Sequence, residues 1–234
     1  HYILMNDITL TAYKPISTAI SSFDGNGYSL IIKTFDIEAV ASGNSIELGL
    51  FGTISEGTII KNVTVNISEL NSIDLSAYSS INIGFFALYN NGIVTNCAVS
   101  YESLSSGEVS YDRSTVINGV EIETVSTMKT LEIKTTANIG GTDTDLTMGA
   151  FVLDNNGDIT NSRVGEDNNA FIQLKVKGSV AGFAYTNSGH IASSFVSNLF
   201  VYNTNPSATD SKTAGFVVRN QGEIMSSYVK GGFT

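Results

Sequence analysis

The 234-residue chain has no tryptophan, one cysteine, two prolines and two histidines. The single cysteine, Cys97, excludes an internal disulfide framework, so stability must come from the burial of apolar side chains. His1 and His190 are too few for a histidine-based zinc site, and the sequence contains no HExxH motif. It also lacks the GxSxG motif of serine hydrolases. No common hydrolytic motif is therefore present.

Basic residues are also scarce. The chain contains 12 Lys and Arg residues and 22 Asp and Glu residues, which gives a formal net charge of −10. No basic cluster is longer than the KVK stretch from Lys175 to Lys177. Nucleic acids and anionic membrane surfaces would repel such a chain. No apolar run approaches the roughly 18 residues that a membrane span needs. The sequence therefore predicts neither a nucleic-acid partner nor direct membrane insertion.

One sequence segment occurs five times, with substitutions between the copies. The copies are GLFGTISEGTIIKNV from Gly49, GFFALYNNGIVTNCAV from Gly84, GAFVLDNNGDITNSRV from Gly149, GFAYTNSGHIASSFV from Gly182 and GFVVRNQGEIMSSYV from Gly215. They align on Gly57, Gly92, Gly157, Gly189 and Gly222, and subtracting these numbers gives steps of 35, 65, 32 and 33 residues. The long step predicts a degenerate copy together with an insertion, at about residues 105–147.

The composition of the repeat favours strands over a helical array. Val, Ile, Phe, Thr and Gly fill each copy, and stretches such as FIQLKVKG and VTVNISEL alternate with period two. Most steps between copies are a little over thirty residues, and one corner recurs. This pattern predicts an all-β parallel β-helix, in which each coil buries its apolar face against the next. A single domain then covers residues 1–234, with an irregular insertion at about 105–147.

The aligned glycines are predicted to be structural corners of the coils. Glycine adopts positive φ at no steric cost, and asparagine just before it tolerates the left-handed region. Two positions after the glycine, an inward apolar ladder is expected at Ile59, Val94, Ile159, Ile191 and Ile224. Five positions after it, small side chains are expected to bond between coils at Asn62, Cys97, Ser162, Ser194 and Ser227. Cys97 is thus predicted to pack rather than to react.

The recurring string of glycine, an apolar pair, Asn, Gly, Ile, Asn or Ser, and then Cys or Ser resembles the GLUG repeat. FDGNGYSLIIK at residues 23–33, preceded by YILMNDITL, resembles the opening coils that often come before such repeats. The resemblance covers most of the chain outside the insertion. It implies a right-handed parallel β-helix of GLUG-type coils in a large exported bacterial protein, a group that includes non-catalytic regions of immunoglobulin-A-cleaving metallopeptidases. Two features depart from the pattern: LFGTISEG lacks the Asn, and Arg163 stands where the last two copies have Phe195 and Tyr228.

The acidic corner DNNGD contains a candidate calcium site at Asp154 and Asp158. Calcium takes about six to eight oxygen ligands, and this stretch lacks the full spacing of an EF-hand loop. Exposed acids that keep the protein soluble are the alternative interpretation, and no other cofactor is expected. His190, which occupies the place of Asp158 and Glu223 in the sister copies, is interpreted as a solvated turn residue.

Aromatic side chains are the candidate ligand contacts. Tyr89, Tyr185, Phe195, Tyr228 and Tyr202 lie on or beside the repeats. Phe195 stacked beneath Tyr228 in adjacent coils would make a binding platform, although an aromatic ladder also serves stability alone.

A polysaccharide-cleaving enzyme would need several acids and a basic residue such as Lys175 or Lys177 in one groove. The acids are scattered over the copies, at Asp143, Asp145, Asp154, Asp158, Glu166 and Asp167. This scatter favours a non-catalytic module over an enzyme. Together with the export that the resemblance implies, the chain is interpreted as an extracellular module for adhesion, spacing or display and as a fragment of a larger exported protein. Its expected partners are a host or cell-surface protein or glycan and the flanking domains of the same chain. An accessory domain of a secreted protease or other large enzyme, and a polysaccharide-binding or polysaccharide-cleaving β-helix, are the alternatives.

Overall fold

The computed structural model describes residues 1–16, 20–68, 72–101, 109–117, 120–135, 145–165, 171–204 and 211–230. These residues form β-strands and one short helix, which Asp36 caps by accepting a hydrogen bond from the Ala39 N–H. No helix in the described ranges is long and apolar enough to cross a membrane.

The elements are numbered in chain order. The first are β1 Tyr2–Ile3, β2 Ile8–Leu10, β3 Ser22–Asp24, β4 Ser29–Ile32, α1 Ile37–Val40, β5 Ala41–Ser42 and β6 Ser45–Leu48. Next come β7 Phe51–Ile54, β8 Ile59–Lys61, β9 Thr64–Ile67, β10 Ser72–Asp74 and β11 Ser80–Gly84. They are followed by β12 Ala87–Asn90, β13 Ile93–Thr95, β14 Ala98–Ser100, β15 Val109–Ile117, β16 Val120–Lys134 and β17 Asp145–Gly149.

The second half repeats this order. It contains β18 Val152–Asn155, β19 Asp158–Thr160, β20 Arg163–Gly165, β21 Phe171–Val176 and β22 Ser179–Ala181. It continues with β23 Ala184–Asn187, β24 His190–Ala192, β25 Phe195–Ser197, β26 Leu199–Asn203 and β27 Thr213–Ala214. The last strands are β28 Val217–Asn220, β29 Glu223–Met225 and β30 Tyr228–Lys230.

The described strands form five sheets. Sheet I has the order β1-β3-β8-β13-β19-β24-β29, and sheet II has β2-β4-β9-β14-β20-β25-β30. Sheet III has β10-β16-β21-β26 with β15 beside β16, sheet IV has β5-β6-β11-β17-β22-β27, and sheet V has β7-β12-β18-β23-β28. From β7 onward the chain visits sheets V, I, II, III and IV in turn, and each coil pairs in parallel with the next. The chain is therefore a parallel β-helix, as the repeat predicted.

A column of phenylalanines runs through the core. Its ring centroids lie 5.5 Å apart from Phe51 to Phe86, 4.6 Å from Phe86 to Phe151, and 4.8 Å at each of the next two steps, to Phe183 and to Phe216. The last three separations, between stacked rings, match the roughly 4.8 Å distance between hydrogen-bonded strands, whereas Phe51 is tilted by 54° against Phe86. The register of the coils thus sets the register of the core.

The predicted apolar ladder is confirmed in all copies but the first. Val94, Ile159 and Ile191 are fully buried and pair in register with Ile224. The prediction is wrong for Ile59, which is 41% exposed. Its neighbour Ile60 is the buried partner of Val94. The first copy has one extra residue after Gly57, so Thr58 occupies the place of Gly92.

The corner glycines are conserved among the copies for a different reason from the one expected. Of the five, Gly57 alone has positive φ, at 78°. At the other four, a Cβ atom would collide with the preceding coil; at Gly157 it would lie 2.1 Å from the Gly92 carbonyl oxygen. Glycine is thus required there by the close approach of two backbones. The left-handed residues come four positions later, at Asn96, Asn161, Ser193 and Ser226, with Asn62 in the first copy.

A ladder of buried asparagine amides lies two positions before these glycines. Asn90 donates to Asn155 Oδ1, Asn155 donates to Asn187 Oδ1 and Asn187 donates to Asn220 Oδ1, each at 2.7 Å. Asn90, Asn155 and Asn187 are fully buried. This ladder was not predicted, because the corner role was assigned to the residue just before the glycine.

The predicted hydroxyl ladder is confirmed. Ser162 Oγ accepts from the Cys97 N–H at 3.3 Å, and Ser194 Oγ accepts from the Ser162 N–H at 3.2 Å. Ser227 Oγ accepts from the Ser194 N–H at 3.2 Å. Asn62 does not belong to this set, because the extra residue in the first copy places Val63 there.

The long step of the repeat is a single coil. β13 pairs directly with β19, so no degenerate copy lies between them, contrary to the expectation. The extra residues enter the coil at two places, between β14 and the paired part of β16 and again between β16 and β17. Where the structure describes it, the stretch is not irregular: β15 and β16 form an antiparallel hairpin, and Met128–Lys134 of β16 belong to sheet III.

Candidate functional site

The predicted aromatic pair lies on the outer face of sheet II. Phe195 and Tyr228 occupy opposed positions in β25 and β30, and their rings are stacked with centroids 5.0 Å apart and planes 2° apart. Arg163 precedes Phe195 in the same register. The Tyr228 side chain is 56% exposed, and Phe195 is partly buried. The stacking is therefore as the sequence predicted.

Tyr89 is separate from this pair, on β12 of sheet V. Its hydroxyl donates to Glu47 Oε1 at 2.9 Å, across the corner to sheet IV. Burial raises the Tyr89 pKa to about 12, and the hydrogen bond to Glu47 and the charge of Asp154 act in the same direction. The phenol therefore stays protonated near neutral pH.

Tyr185 lies on the same sheet, on β23. The Arg219 guanidinium lies over its ring at 5.6 Å from the centroid, a cation–π geometry. Tyr202 lies on β26 of sheet III and is 40% exposed. The five predicted aromatic residues therefore divide among three sheets, and only Phe195 and Tyr228 are stacked on each other.

The two candidate calcium ligands lie on either side of a corner. Asp154 is in β18 of sheet V and Asp158 is in β19 of sheet I, with the buried Asn155 between them. Among the described residues, no group of three or more His, Cys, Asp or Glu side chains could hold a metal ion. The described acids therefore add no third carboxylate to the two predicted calcium ligands.

Cys97 is buried as the sequence predicted, whereas His190 is not a solvated turn residue, because it lies in strand β24 and is partly buried. His190 pairs with Asp158 and Glu223 in register, and its Nδ1 is 3.9 Å from Asp158 Oδ1. Cys97 is 2% exposed, and burial raises its thiol pKa to about 12. The thiol is therefore protonated and shielded at neutral pH, which does not suit a nucleophile.

Of the acids considered for polysaccharide cleavage, those whose side chains the structure describes are not gathered with a base. Lys175 lies in sheet III and forms an ion pair with Glu132 of the adjacent strand at 2.8 Å. Asp154 and Asp158 lie on sheets V and I, and Lys177 follows β21. Asp143, Glu166 and Asp167 lie outside the described residues, and the description of Asp145 is limited to its backbone.

Glu47, Lys14 and Arg219 are polar residues near the aromatic positions that the sequence reasoning missed. Glu47 and Arg219 contact tyrosines in neighbouring coils, and Lys14 lines a pocket beside Tyr89. No local motif marks such contacts, because they depend on which coils are adjacent.

Comparison of the chain with protein-family models, with curated proteins and with solved structures gave no match.

Proposed function

We propose that this chain is a non-catalytic interaction module, which displays contact residues on the lateral face of a rigid β-helix. The observation that carries this proposal is the stacked pair of Phe195 and Tyr228 on the outer face of sheet II, in which Tyr228 is exposed. Exposed aromatic rings on a rigid support are typical contacts for sugars and for proteins, because they bury much apolar area at low entropic cost.

The distribution of ionisable groups supports a binding role over a catalytic one. Catalytic acids and bases normally converge in one cleft with mutually perturbed pKa values. Here Lys175 is already paired with Glu132, and the described candidate acids lie on other sheets. A net charge of −10 and a surface rich in Ser, Thr and Asn suit an exported bacterial protein. We accordingly place the module outside the cell, where a glycan or protein on a neighbouring surface is its partner.

The test is retention of the purified chain on a broad array of glycans and of surface proteins, with calcium and with a chelator. We expect saturable retention on at least one ligand. Replacing Tyr228 with Ala should weaken it by about tenfold or more, the size of effect expected for an aromatic residue at the centre of an interface.

Tyr202→Ala is the matched control, because Tyr202 is also exposed but lies on sheet III. Retention that both variants reduce equally would argue against the Phe195–Tyr228 platform. Failure to bind any ligand on either array would contradict the proposed function. Retention that disappears with the chelator would support the calcium hypothesis, and an Asp158→Asn variant should then abolish the calcium effect.

A further inference from the structure

A pocket of about 440 Å³ lies on the outer side of sheet V, beside Tyr89. Small-molecule sites in proteins commonly have volumes of roughly 300 to 1,000 Å³. The pocket is bounded by β7 and β12, by the segment around Lys14 and Pro15, and by the end of helix α1. It is distinct from the Phe195–Tyr228 platform, which lies on sheet II.

Backbone hydrogen bonds hold the pocket walls. Ile16 forms a parallel bridge with Phe51, in which its N–H donates to the Leu50 carbonyl at 2.9 Å and its carbonyl accepts from the Gly52 N–H at 3.0 Å. The Tyr13 hydroxyl donates to the Leu50 carbonyl and accepts from the Ile16 N–H. A ligand would therefore meet a largely preformed site, which lowers the entropic cost of binding.

The polar groups of the pocket carry one charge of each sign. The Glu47 carboxylate accepts from the Tyr89 hydroxyl and retains further lone pairs for a ligand. Lys14 is exposed, and no described carboxylate lies within ion-pair distance of its ammonium group. Thr53 adds an exposed hydroxyl. Acceptors and donors of hydrogen bonds are thus both present, with no excess charge that would favour an ionic ligand.

The remaining walls are apolar. Pro15, Val40 and Leu88 line the pocket, and Leu88 is only 2% exposed. Polar groups around an apolar wall, with a tyrosine at the side, match a molecule that has hydroxyl groups at its edge and a C–H face. A neutral sugar has this chemistry. The net charge of −10 disfavours polyanionic ligands at the same site.

Polar residues continue away from the pocket along sheet V. Asp154 and Thr186 follow Tyr89 in register on the next two coils, and Arg219 follows them. Successive positions are about 4.8 Å apart, the distance between hydrogen-bonded strands. Tyr185 lies beside this row, beneath the Arg219 guanidinium. A chain of sugar units that enters the pocket would therefore find hydrogen-bonding groups on the coils beyond it.

We propose that this pocket binds the end of a neutral oligosaccharide, with the sugar held between Tyr89, Glu47 and Lys14. The proposal deepens the proposed function and rests on it, because it names the ligand class and a second contact site of the interaction module.

The experiment is calorimetric titration of the chain with neutral di- to tetrasaccharides of glucose, galactose, mannose and N-acetylglucosamine, together with NMR of ring-labelled tyrosines. We expect at least one of these sugars to bind saturably and to shift the Tyr89 ring resonances. Glu47→Gln should weaken binding by about tenfold, because it removes a charged acceptor.

Gly52→Leu tests the pocket without touching its polar groups. A Cβ atom at Gly52 would meet nothing nearer than the Ile16 carbonyl oxygen at 3.6 Å, so the strand accepts the change and the side chain extends into the pocket. Binding should be lost, with an unchanged thermal midpoint. Ser45→Leu, on the exposed outer face of β6, is the matched control and should bind as the parent chain does.

The outcomes separate this proposal from the proposed function. If no neutral sugar binds, if Gly52→Leu binds normally, or if peptides bind the pocket in place of sugars, the pocket proposal is overturned. Array retention that depends on Tyr228 would still support the interaction module in each of those cases. Conversely, sugar binding that Gly52→Leu abolishes would support the pocket even if the Phe195–Tyr228 platform retained nothing.

Discussion

At the scale of single residues, the asparagine ladder is the feature on which the stack depends most. Asn155 lies at its centre, where it accepts from Asn90 and donates both to Asn187 and to the Gly157 carbonyl, the latter at 3.1 Å. All these groups are removed from water, so each amide depends on its neighbours for hydrogen bonds.

Asn155→Ala should destabilise the chain markedly. The substitution leaves the Asn90 amide without its acceptor and the Asn187 carbonyl without its donor, and both are fully buried. A buried polar group without a partner costs about 1 to 3 kcal/mol, so we expect the free energy of unfolding to fall by about 2 to 4 kcal/mol. Denaturant unfolding followed by circular dichroism measures this change.

Asn156→Ala is the control for this variant, because Asn156 is exposed and, among the described residues, its side chain is hydrogen-bonded only to that of Asn91. Its effect should stay within about 0.5 kcal/mol, as for most surface substitutions. Equal losses in the two variants would show that the buried ladder contributes no special stability.

The residue scale also shows where sequence reasoning reached its limit. The spacing of Val94, Ile159 and Ile191 sufficed to predict their burial. It could not distinguish Gly57, which turns the chain with positive φ, from Gly157, which lets two coils approach. Both demands select glycine, and only the position of the preceding coil separates them. The same ambiguity misplaced Ile59 and concealed the role of Asn155.

At the scale of elements, the hairpin of β15 and β16 is an addition to a complete coil. β16 contributes Met128–Lys134 to sheet III, where Leu131 and Ile133 are buried between β10 and β21. In the next coil, the same connection uses only residues 166–170 between β20 and β21. From spacing alone, one enlarged coil and two ordinary coils are indistinguishable, which explains the wrong prediction of a degenerate copy.

Replacing residues 102–127 with the four-residue sequence of residues 167–170 should therefore leave the β-helix folded. Tyr101, which is buried against Phe85, stays in place, and so does the paired part of β16. We expect an unchanged β-type circular dichroism spectrum per residue and a single cooperative thermal transition. A deletion extended through Lys134 is the control and should abolish that transition, because it removes a core strand. Unfolding of the shorter deletion would show that the hairpin is part of the folding unit.

At the scale of the whole molecule, each coil of a solenoid is stabilised by its two neighbours. Stability is then close to a sum of coil and interface contributions, and it need not be uniform along the axis. In the central coils the apolar ladder is fully buried, whereas Phe216, Ile224 and Val229 in the last described coil are only partly buried. The coils should therefore differ in local stability although their sequences are alike.

A matched pair of substitutions tests this gradient. Ile159 and Ile224 occupy the same ladder position, connected through Ile191, but only Ile159 is fully buried. Ile159→Ala should cost about 2 to 5 kcal/mol, because it opens a cavity in the core. Ile224→Ala should cost less, since its side chain loses less contact and the coil can open locally. Hydrogen exchange should then show opening of β28 to β30 in Ile224→Ala while β12 to β14 stay protected, whereas Ile159→Ala should accelerate exchange throughout. Equal costs and uniform exchange in both variants would mean that the β-helix unfolds as one cooperative unit.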